Sequence, residues 1–275
     1  AHAAFDTEPF RHWDEDDPAE VPTGCAKCHS SPGYLDYLGA DGTEANVVDN
    51  PAPIDTVIDC VACHNDVTLV KDSVIMPSGI ELTGLGDESR CMECHQGRQS
   101  TVSVNESIAA AGVEDDTVSE DLGFANIHYY PAAATKYGTE AKGGYEFEGK
   151  SYDGFFAHVD GYETCIDCHN SHTLEVKIDG CVECHTDVVD VEDLKNVRMA
   201  GSMKDYDGDG DVEEGIYFEL EGMQELLSQA LLAYSSEVSG TPIGYNSHAY
   251  PYFFIDTNAD GEITEDETER YASWT

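Results

Sequence analysis

Apolar residues recur at a regular period in one long segment near the C-terminal end of the chain. The positions that share this period are Leu220, Met223, Leu227, Ala230, Leu231 and Tyr234. Residues three and four apart fall on one face of an α-helix, so the segment predicts an amphipathic helix. Gly240 and Pro242 follow these positions and are typical of a helix end. We expect the apolar face to form a core between the acidic loops that flank the helix.

The rest of the chain predicts little regular structure. Residues 143–155 alternate aromatic and polar positions and predict a short hairpin, and residues 57–79 contain short β-like pieces. No apolar run approaches the roughly 18 residues that a membrane-spanning helix needs. We therefore expect a mostly irregular fold with short helices and few strands.

The cysteines follow one repeated pattern. The sequence C-x-x-C-H occurs five times and uses all ten cysteines of the chain. Its members are Cys25, Cys28 and His29; Cys60, Cys63 and His64; Cys91, Cys94 and His95; Cys165, Cys168 and His169; and Cys181, Cys184 and His185. No cysteine is left for a disulfide, a free nucleophile or a separate metal cluster.

This pattern is the attachment signature of c-type haem. The two thiols add to the two vinyl groups on one edge of the porphyrin, and the histidine supplies one axial nitrogen to the iron. A zinc ribbon pairs its C-x-x-C units and places histidines at other spacings, and a thioredoxin-like site uses a single C-x-x-C. Neither alternative explains a histidine after every second cysteine. We expect five haem c groups, with the chain wrapped around them.

Six of the 11 histidines lie outside these motifs and are candidates for the second axial position of each iron. We predict that five of them are distal ligands: His12, His128, His158, His172 and His248. His2 is set aside because chain ends are usually loose. Methionine is an alternative ligand, at Met76, Met92, Met199, Met203 or Met223, but no spacing favours it. Closed bis-histidine sites favour a carrier or conduit, whereas one open iron would favour a reductase.

Two acidic loops near the C-terminal end predict calcium binding. The second, residues 256–267, matches the EF-hand loop pattern, with Gly261 at the turn. Its predicted ligands are Asp256, Asn258, Asp260, Glu262 through its carbonyl, and Glu267. The first, residues 205–216, aligns Asp205, Asp207, Asp209 and Asp211, but its twelfth position is Ile216. We expect Glu213 or Glu214 to replace the missing carboxylate.

The chain is strongly acidic, with 13 Lys+Arg against 56 Asp+Glu and a formal net charge of −43. Nucleic-acid binding needs a positive face, so the composition argues against a nucleic-acid partner and equally against an anionic membrane surface. Like charge keeps a protein dispersed in salty water, and part of the acid can bind cations.

The start of the chain, AHAAFDTEP, looks like the end left by an export cleavage. Haem c is attached outside the cytoplasm, so we expect a periplasmic, cell-surface or extracellular protein without membrane insertion. We predict two parts, a pentahaem domain over residues 1–190 and a small α-helical EF-hand-like module over residues 191–275, docked through His248.

Several stretches resemble secreted bacterial multihaem c-type cytochromes, and together they cover nearly the whole chain. They are FRHWDED, CAKCHSS, CVACHN, CMECHQGRQS, NIHYYPAAATKYG, CIDCHNSHTLEV and GTPIGYNSHAYPYFFIDTNADGE. The resemblance implies covalent haem c, bis-histidine ligation and electron transfer to redox proteins or extracellular acceptors. Some such cytochromes assemble into conducting filaments, and self-assembly is therefore an alternative to a separate carrier.

Overall fold

The backbone of the chain groups into two compact units. The computed structural model of the protein describes residue 2, residues 7–155 and residues 157–267. Unit 1 consists of Ala1–Ser103 and Asn126–Glu175, and unit 2 consists of Val104–Ala125 and Val176–Thr275. The first four C-x-x-C-H motifs fall in unit 1, and the fifth falls in unit 2 with both acidic loops. The division at residue 190 stays a prediction, and residues 1 and 3–6 of the cleavage-like start lie outside the described residues.

The fold is mostly irregular, as the sequence predicts. In the part of the chain that the structure describes, the α-helices are α1 (Glu8–Arg11), α2 (Thr23–His29), α3 (Ser31–Tyr37), α4 (Cys60–Cys63), α5 (Ser89–His95), α6 (Thr101–Ala111), α7 (Ala132–Tyr137), α8 (Cys165–Cys168), α9 (Ile178–Cys181) and α10 (Ile216–Glu237). Single 3₁₀ turns cover Thr68–Val70, Gly86–Glu88 and Gly138–Glu140, and a longer one covers Glu192–Asn196. Among these described helices, none has the length and hydropathy to span a membrane.

The strands form three antiparallel pairs of two or three residues each. They are β1 (Glu20–Val21) with β2 (Ala52–Pro53), β3 (Ser73–Ile75) with β4 (Glu81–Thr83), and β5 (Ile243–Tyr245) with β6 (Phe253–Ile255). The β3–β4 hairpin accounts for part of the β-like sequence after residue 57. Such short ladders give little stability by themselves, so each unit must be stabilised mainly by the packing of its side chains.

Unit 1 buries its apolar residues in three separate clusters. The largest consists of Val74, Met76, Leu85, Met92, Ala133, Ala134, Tyr137 and Ala141. The second contains Trp13, Val21, Ala26 and Ala52, and the third contains Tyr34, Leu38 and Ala62. Helices α2 and α3 pack so closely that a Cβ atom on Gly33 would lie 2.4 Å from the carbonyl oxygen of Ala26. The small residues Gly33 and Ala26 therefore allow α3 to lie close to α2, the helix that contains the first attachment motif.

The structure confirms the predicted amphipathic helix, which is α10 of unit 2. The predicted burial of its apolar face is not found. Its apolar stripe faces outward within the described structure: Leu220 is 52% exposed and Leu227 is 60% exposed. The buried side chains of α10 are Glu219 and Ser235 instead. The prediction that this face forms a core between the loops was wrong, because helical periodicity indicates which residues share a face and not what that face contacts.

The predicted hairpin over residues 143–155 was also wrong. The described backbone forms a turn there, in which Lys150 N–H donates to the carbonyl oxygen of Phe147 at 3.1 Å. The following residues bond elsewhere, since Thr139 N–H donates to the Asp153 carbonyl at 3.1 Å and Phe155 N–H donates to Glu140 at 3.2 Å. These bonds to the 3₁₀ turn at Gly138–Glu140 take the place of a strand ladder.

Candidate haem and calcium sites

Each C-x-x-C-H motif forms a turn of helix. The three motif side chains occupy positions i, i+3 and i+4, which lie on one face of a helical turn. The histidine N–H bonds to the carbonyl oxygen of the first cysteine in the second, fourth and fifth motifs, at 2.9, 2.8 and 2.8 Å. In the first and third motifs the whole sequence lies inside α2 and α5. Local helix formation thus presents two thiols and one imidazole in the same direction.

Backbone carbonyls orient three of the motif histidines. Nδ1 of His29 lies 2.7 Å from the carbonyl oxygen of Pro9, Nδ1 of His95 lies 3.0 Å from that of Tyr130, and Nδ1 of His169 lies 3.1 Å from that of Leu174. A carbonyl oxygen only accepts, so Nδ1 donates the hydrogen in each bond. In a neutral ring the lone pair is then on Nε2, which would be the atom available to bind a metal.

Three motif histidines each lie opposite a second histidine. The ring centres are 5.9 Å apart for His29 and His128, and 6.2 Å apart for His64 and His172. The third pair is His2 and His95, with ring centres 6.0 Å apart. All three pairs belong to unit 1.

These separations fit two imidazoles on opposite sides of one metal ion. A metal–imidazole bond is about 2 Å long, and the ring centre lies roughly 1 Å further, so two trans ligands have centres about 6 Å apart. The angles between the ring planes are 79° for His29 and His128 and 14° for His64 and His172. Both angles are compatible, because each ring can rotate about its metal–nitrogen bond. The donor set therefore fits an axially ligated haem iron.

Burial favours the neutral form of both histidines in the pair of His29 and His128. Burial lowers the pKa of His29, and this outweighs the opposing effect of its bond to Pro9. Burial also lowers the pKa of His128, with a further contribution from His29 itself. A neutral imidazole is the form that ligates a metal. His128 in addition has a φ of +84°, a left-handed conformation that is uncommon for a residue with a Cβ atom.

The structure places His2 differently from the expectation for a loose chain end. The carbonyl oxygen of His2 accepts the N–H of Ile58 at 3.1 Å, and its ring lies opposite His95. Sequence reasoning missed this residue because its position along the chain carries no information on its contacts. His12, His158 and His248 are not among the three pairs. His12 bonds through Nδ1 to Glu8 at 3.0 Å and packs edge-on against Trp13.

An asparagine two residues earlier fixes the backbone of three predicted distal histidines. The backbone N–H of His128 donates to the side-chain oxygen of Asn126 at 2.8 Å. His172 makes the same bond to Asn170, and His248 makes it to Asn246, both at 2.9 Å. Such Asx turns fix the direction of the chain locally. The pattern N-x-H that marks these turns is visible in the sequence.

The predicted methionine alternatives are divided between the core and the surface. Met76 and Met92 are almost fully buried in the largest apolar cluster. Met199 and Met203 are 74% and 66% exposed. Met223, on α10, is 44% exposed.

Two buried carboxylates lie next to the attachment motifs. Glu88 accepts bonds from Lys136 Nζ at 2.6 Å, Tyr137 Oη at 2.9 Å and the N–H of Cys165 at 2.9 Å. Burial acts to raise the pKa of Glu88, but these three donors outweigh it and lower the pKa. Glu93 lies inside the third motif and is bonded to Lys27 and Lys71. Composition alone gave no signal for either residue.

The two acidic loops make the same hydrogen bonds at equivalent positions. In the second loop, Asp256 accepts the N–H of Ala259 and of Gly261, both at 2.7 Å. In the first loop, Asp205 accepts the N–H of Gly208 at 2.5 Å and of Gly210 at 3.1 Å. The third and fifth positions repeat the match. Both loops therefore turn their first acidic side chain inward.

The loops differ in the carboxylate that closes them. In the second loop, Glu267 accepts the N–H of Thr257, the residue at position two, at 2.9 Å. Bonds from the backbone of Thr264 and the side chain of Thr257 lower the pKa of Glu267 to about 2. In the first loop the equivalent bond, from Tyr206 N–H at 2.6 Å, goes to Glu219 in the first turn of α10. Ile216, at position twelve, is 41% exposed.

Glu219 therefore lies at the place in the first loop that Glu267 takes in the second loop. It is fully buried and bonded to Arg198 Nη1 at 2.5 Å. Oxygen atoms of Asp207, Glu214 and Glu219 lie within 4.8 Å of one another, as do those of Asp205, Asp207 and Asp209. Burial and the neighbouring carboxylates raise the pKa of Glu214, whose Oε1 atom is buried without a partner. Glu214, one of the two residues predicted to replace the missing carboxylate, belongs to the same oxygen cluster as Glu219, which the first turn of α10 carries.

Comparisons with known proteins agree with the geometry of the histidine pairs. The chain is 26% identical to the C-type polyheme cytochrome OmcC of Geobacter sulfurreducens over 94% of its own length. It is also 26% identical to the C-type polyheme cytochrome OmcB of that organism over 87% of its length. The chain is similar to polyhaem c-type cytochromes. No family model and no solved structure matches it.

The similarity supports a multihaem c-type cytochrome that binds haem c. The matched region spans 37% of OmcC and 34% of OmcB, so the chain covers about a third of the curated relatives it matches. The names of these cytochromes describe proteins much longer than the region matched here. The number of haems and the path of the electrons therefore rest on this chain's own residues.

Proposed function

We propose that the chain transfers electrons outside the cytoplasm through five haem c groups with histidine on both sides of each iron. The observation that carries this proposal is the set of three opposed imidazole pairs, with ring centres 5.9–6.2 Å apart. Five regular motifs and the similarity to polyhaem cytochromes support it. Haem c supplies reversible one-electron chemistry at its iron when bound.

The residues of the chain have distinct roles in this proposal. The cysteines of each motif form thioether bonds that hold the porphyrin, and the motif histidine is the proximal ligand. His128, His172 and His2 are the distal ligands opposite His29, His64 and His95. The two motifs with His169 and His185 then draw on His12, His158 and His248, so one of these three histidines is not an axial ligand.

The first test counts the haems and reports the spin state of each iron. The purified protein should contain five haem c groups per chain, and low-temperature EPR of its oxidised form should show five low-spin irons. His172→Ala should convert one of the five irons to a high-spin form, because it removes the ligand opposite His64. Ser171→Ala, in the same loop, should leave all five unchanged. Fewer than five haems, or a high-spin iron in the wild type, would contradict the proposal.

We also propose that both acidic loops bind calcium, with Glu267 closing the second loop and Glu219 closing the first. Their matching hydrogen bonds and the oxygen clusters of the first loop support this proposal. Titration calorimetry should find two sites per chain. Glu219→Gln and Glu267→Gln should each remove one site, whereas Glu213→Gln should retain both. A calcium stoichiometry below two in the wild type, or loss of a site in Glu213→Gln, would contradict these ligands.

The remaining hypotheses differ in what they predict for the purified protein. A self-assembling filament predicts polymers in electron micrographs, whereas a separate carrier predicts single particles. A reductase predicts one iron without a second protein ligand, which the EPR experiment detects. In each case the redox partner is a protein or acceptor outside the cytoplasm, because haem c is attached there.

A further inference from the structure

The first and third attachment motifs pack against each other in a reciprocal way. The sulfur of Cys28 lies 4.0 Å from the carbonyl oxygen of Glu93, and the sulfur of Cys94 lies 3.8 Å from the carbonyl oxygen of Lys27. Lys27 and Glu93 hold the same place in their motifs, directly before the second cysteine. The haem edges attached through these two sulfurs would therefore be neighbours, although the second motif lies between them in the sequence.

A buried ion triad crosses the contact between these motifs. The Glu93 side chain is 2% exposed, and its two oxygens lie 3.1 Å from Lys27 Nζ and 2.6 Å from Lys71 Nζ. The side-chain amide of Gln96 donates a further bond to Glu93 at 3.2 Å. A carboxylate this deeply buried is stable only with such partners. Lys27 also lies 4.2 Å from the ring centre of Tyr37, which keeps its ammonium group in the contact.

We propose that Glu93 is a positioning residue that joins the first and third haem motifs and, with Lys27 and Lys71, sets the fixed charge beside both haems. The inference rests on the proposed function, since it requires haem at both motifs. It makes these two haems electronic neighbours, so that the order of haems in space differs from their order along the chain.

The sign of each effect follows from electrostatics. The triad carries one negative and two positive charges in a poorly solvated place, where charges act strongly on their surroundings. Reduction adds an electron to a haem, so removal of a nearby negative charge favours the reduced form and raises its potential. Removal of a nearby positive charge lowers the potential for the same reason.

The experiment is a spectroelectrochemical titration of the full chain with all haems bound. Glu93→Gln should shift two of the five midpoint potentials upward, and Lys71→Met should shift the same two downward. The double variant K71M/E93Q has the wild-type net charge at this place, and its potentials should return towards the wild-type values. The matched controls are Glu192→Gln and Lys195→Met, which alter an exposed ion pair of unit 2 and should shift no potential.

Each outcome supports or overturns the inference. Opposite shifts that cancel in the double variant support it. Shifts of one sign in both single variants, or no shift, overturn it, because a structural disturbance alone has no reason to follow the charge. If Glu93→Gln does not mature with five haems, Lys71→Met decides alone: a downward shift of two potentials supports the inference, and an upward shift or no shift overturns it. A wild-type protein with fewer than five haems would instead refute the proposed function, which separates the two failures.

Discussion

The two units of this molecule use their few basic residues and their apolar residues differently. Unit 1 places Lys27, Lys71 and Lys136 on buried carboxylates beside the attachment motifs, and it buries its apolar residues in three clusters. Unit 2 carries both acidic loops, and the apolar stripe of α10 is exposed in the described structure. In unit 2, the ion pair between Arg198 and Glu219 is buried in the same way as the pairs of unit 1.

This difference shows how a chain with 13 basic and 56 acidic residues can still fold. Buried carboxylates receive the protein's own cations, because an unpaired buried charge is costly. The first carboxylates of the two loops of unit 2 accept bonds from backbone N–H groups instead. With the calcium sites proposed above, the comparison predicts that protein cations stabilise unit 1 and that calcium contributes to unit 2, and each of the following experiments can break it.

The largest effect is expected from Lys136→Met in unit 1. The variant leaves Glu88 buried without its cation, which should lower the free energy of unfolding by about 3–5 kcal/mol. Lys195→Met is the matched change in unit 2, where the ion pair with Glu192 is exposed, and it should have no measurable effect. Denaturant unfolding followed by the haem absorbance measures both. Equal effects in the two variants would remove the distinction between the units.

Calcium removal should act on unit 2 and spare unit 1. A ligand held at about 100 times its Kd contributes about 2.7 kcal/mol to the stability of the fold that binds it. We expect EGTA to lower the unfolding temperature of unit 2 and to increase hydrogen exchange in residues 205–216 and 256–267. Protection in α5, which contains the third motif, should not change. Uniform loss of protection across the chain would contradict separate stabilisation of the two units.

A smaller effect is expected from the asparagine before His172. Asn170→Ala removes one hydrogen bond to the backbone N–H of His172, worth about 1 kcal/mol, which weakens ligation roughly fivefold. The variant should bind carbon monoxide at one haem more readily than the wild type, whereas Asn170→Asp retains the acceptor and should not. Asn65→Ala is the control, because its Asx turn leads to Val67 rather than to a histidine. If Asn65→Ala bound carbon monoxide as readily as Asn170→Ala, the Asx turn at Asn170 would contribute to stability alone and not to ligation by His172.

The smallest effect is expected from Leu227→Ala on α10. Because this side chain is 60% exposed, the change in the free energy of unfolding should stay within about 0.5 kcal/mol. Leu38→Ala in unit 1 removes a buried side chain and should cost about 2–5 kcal/mol. A large loss in Leu227→Ala would show that the apolar stripe of α10 is covered in solution.

Sequence patterns predicted several local features of this chain. The period of apolar residues predicted α10, and the C-x-x-C-H spacing predicted that two thiols and one imidazole act together at each of five places. The EF-hand pattern predicted a loop in which Asp256 and Glu267 turn inward. Each of these features depends on residues that are close together in the chain. Its chemical groups and its local geometry therefore lie in one continuous segment.

Features that join distant segments were decided by the tertiary structure. The pairing of His2 with His95, the bonding of Glu93 to Lys27 and Lys71, and the hydrogen bond from Tyr206 to Glu219 follow from how separate segments pack. The sequence by itself determined which chemical groups the protein carries and how each motif is built. Only the fold decided which groups meet, because burial and contacts between residues far apart in the chain depend on packing and not on local spacing.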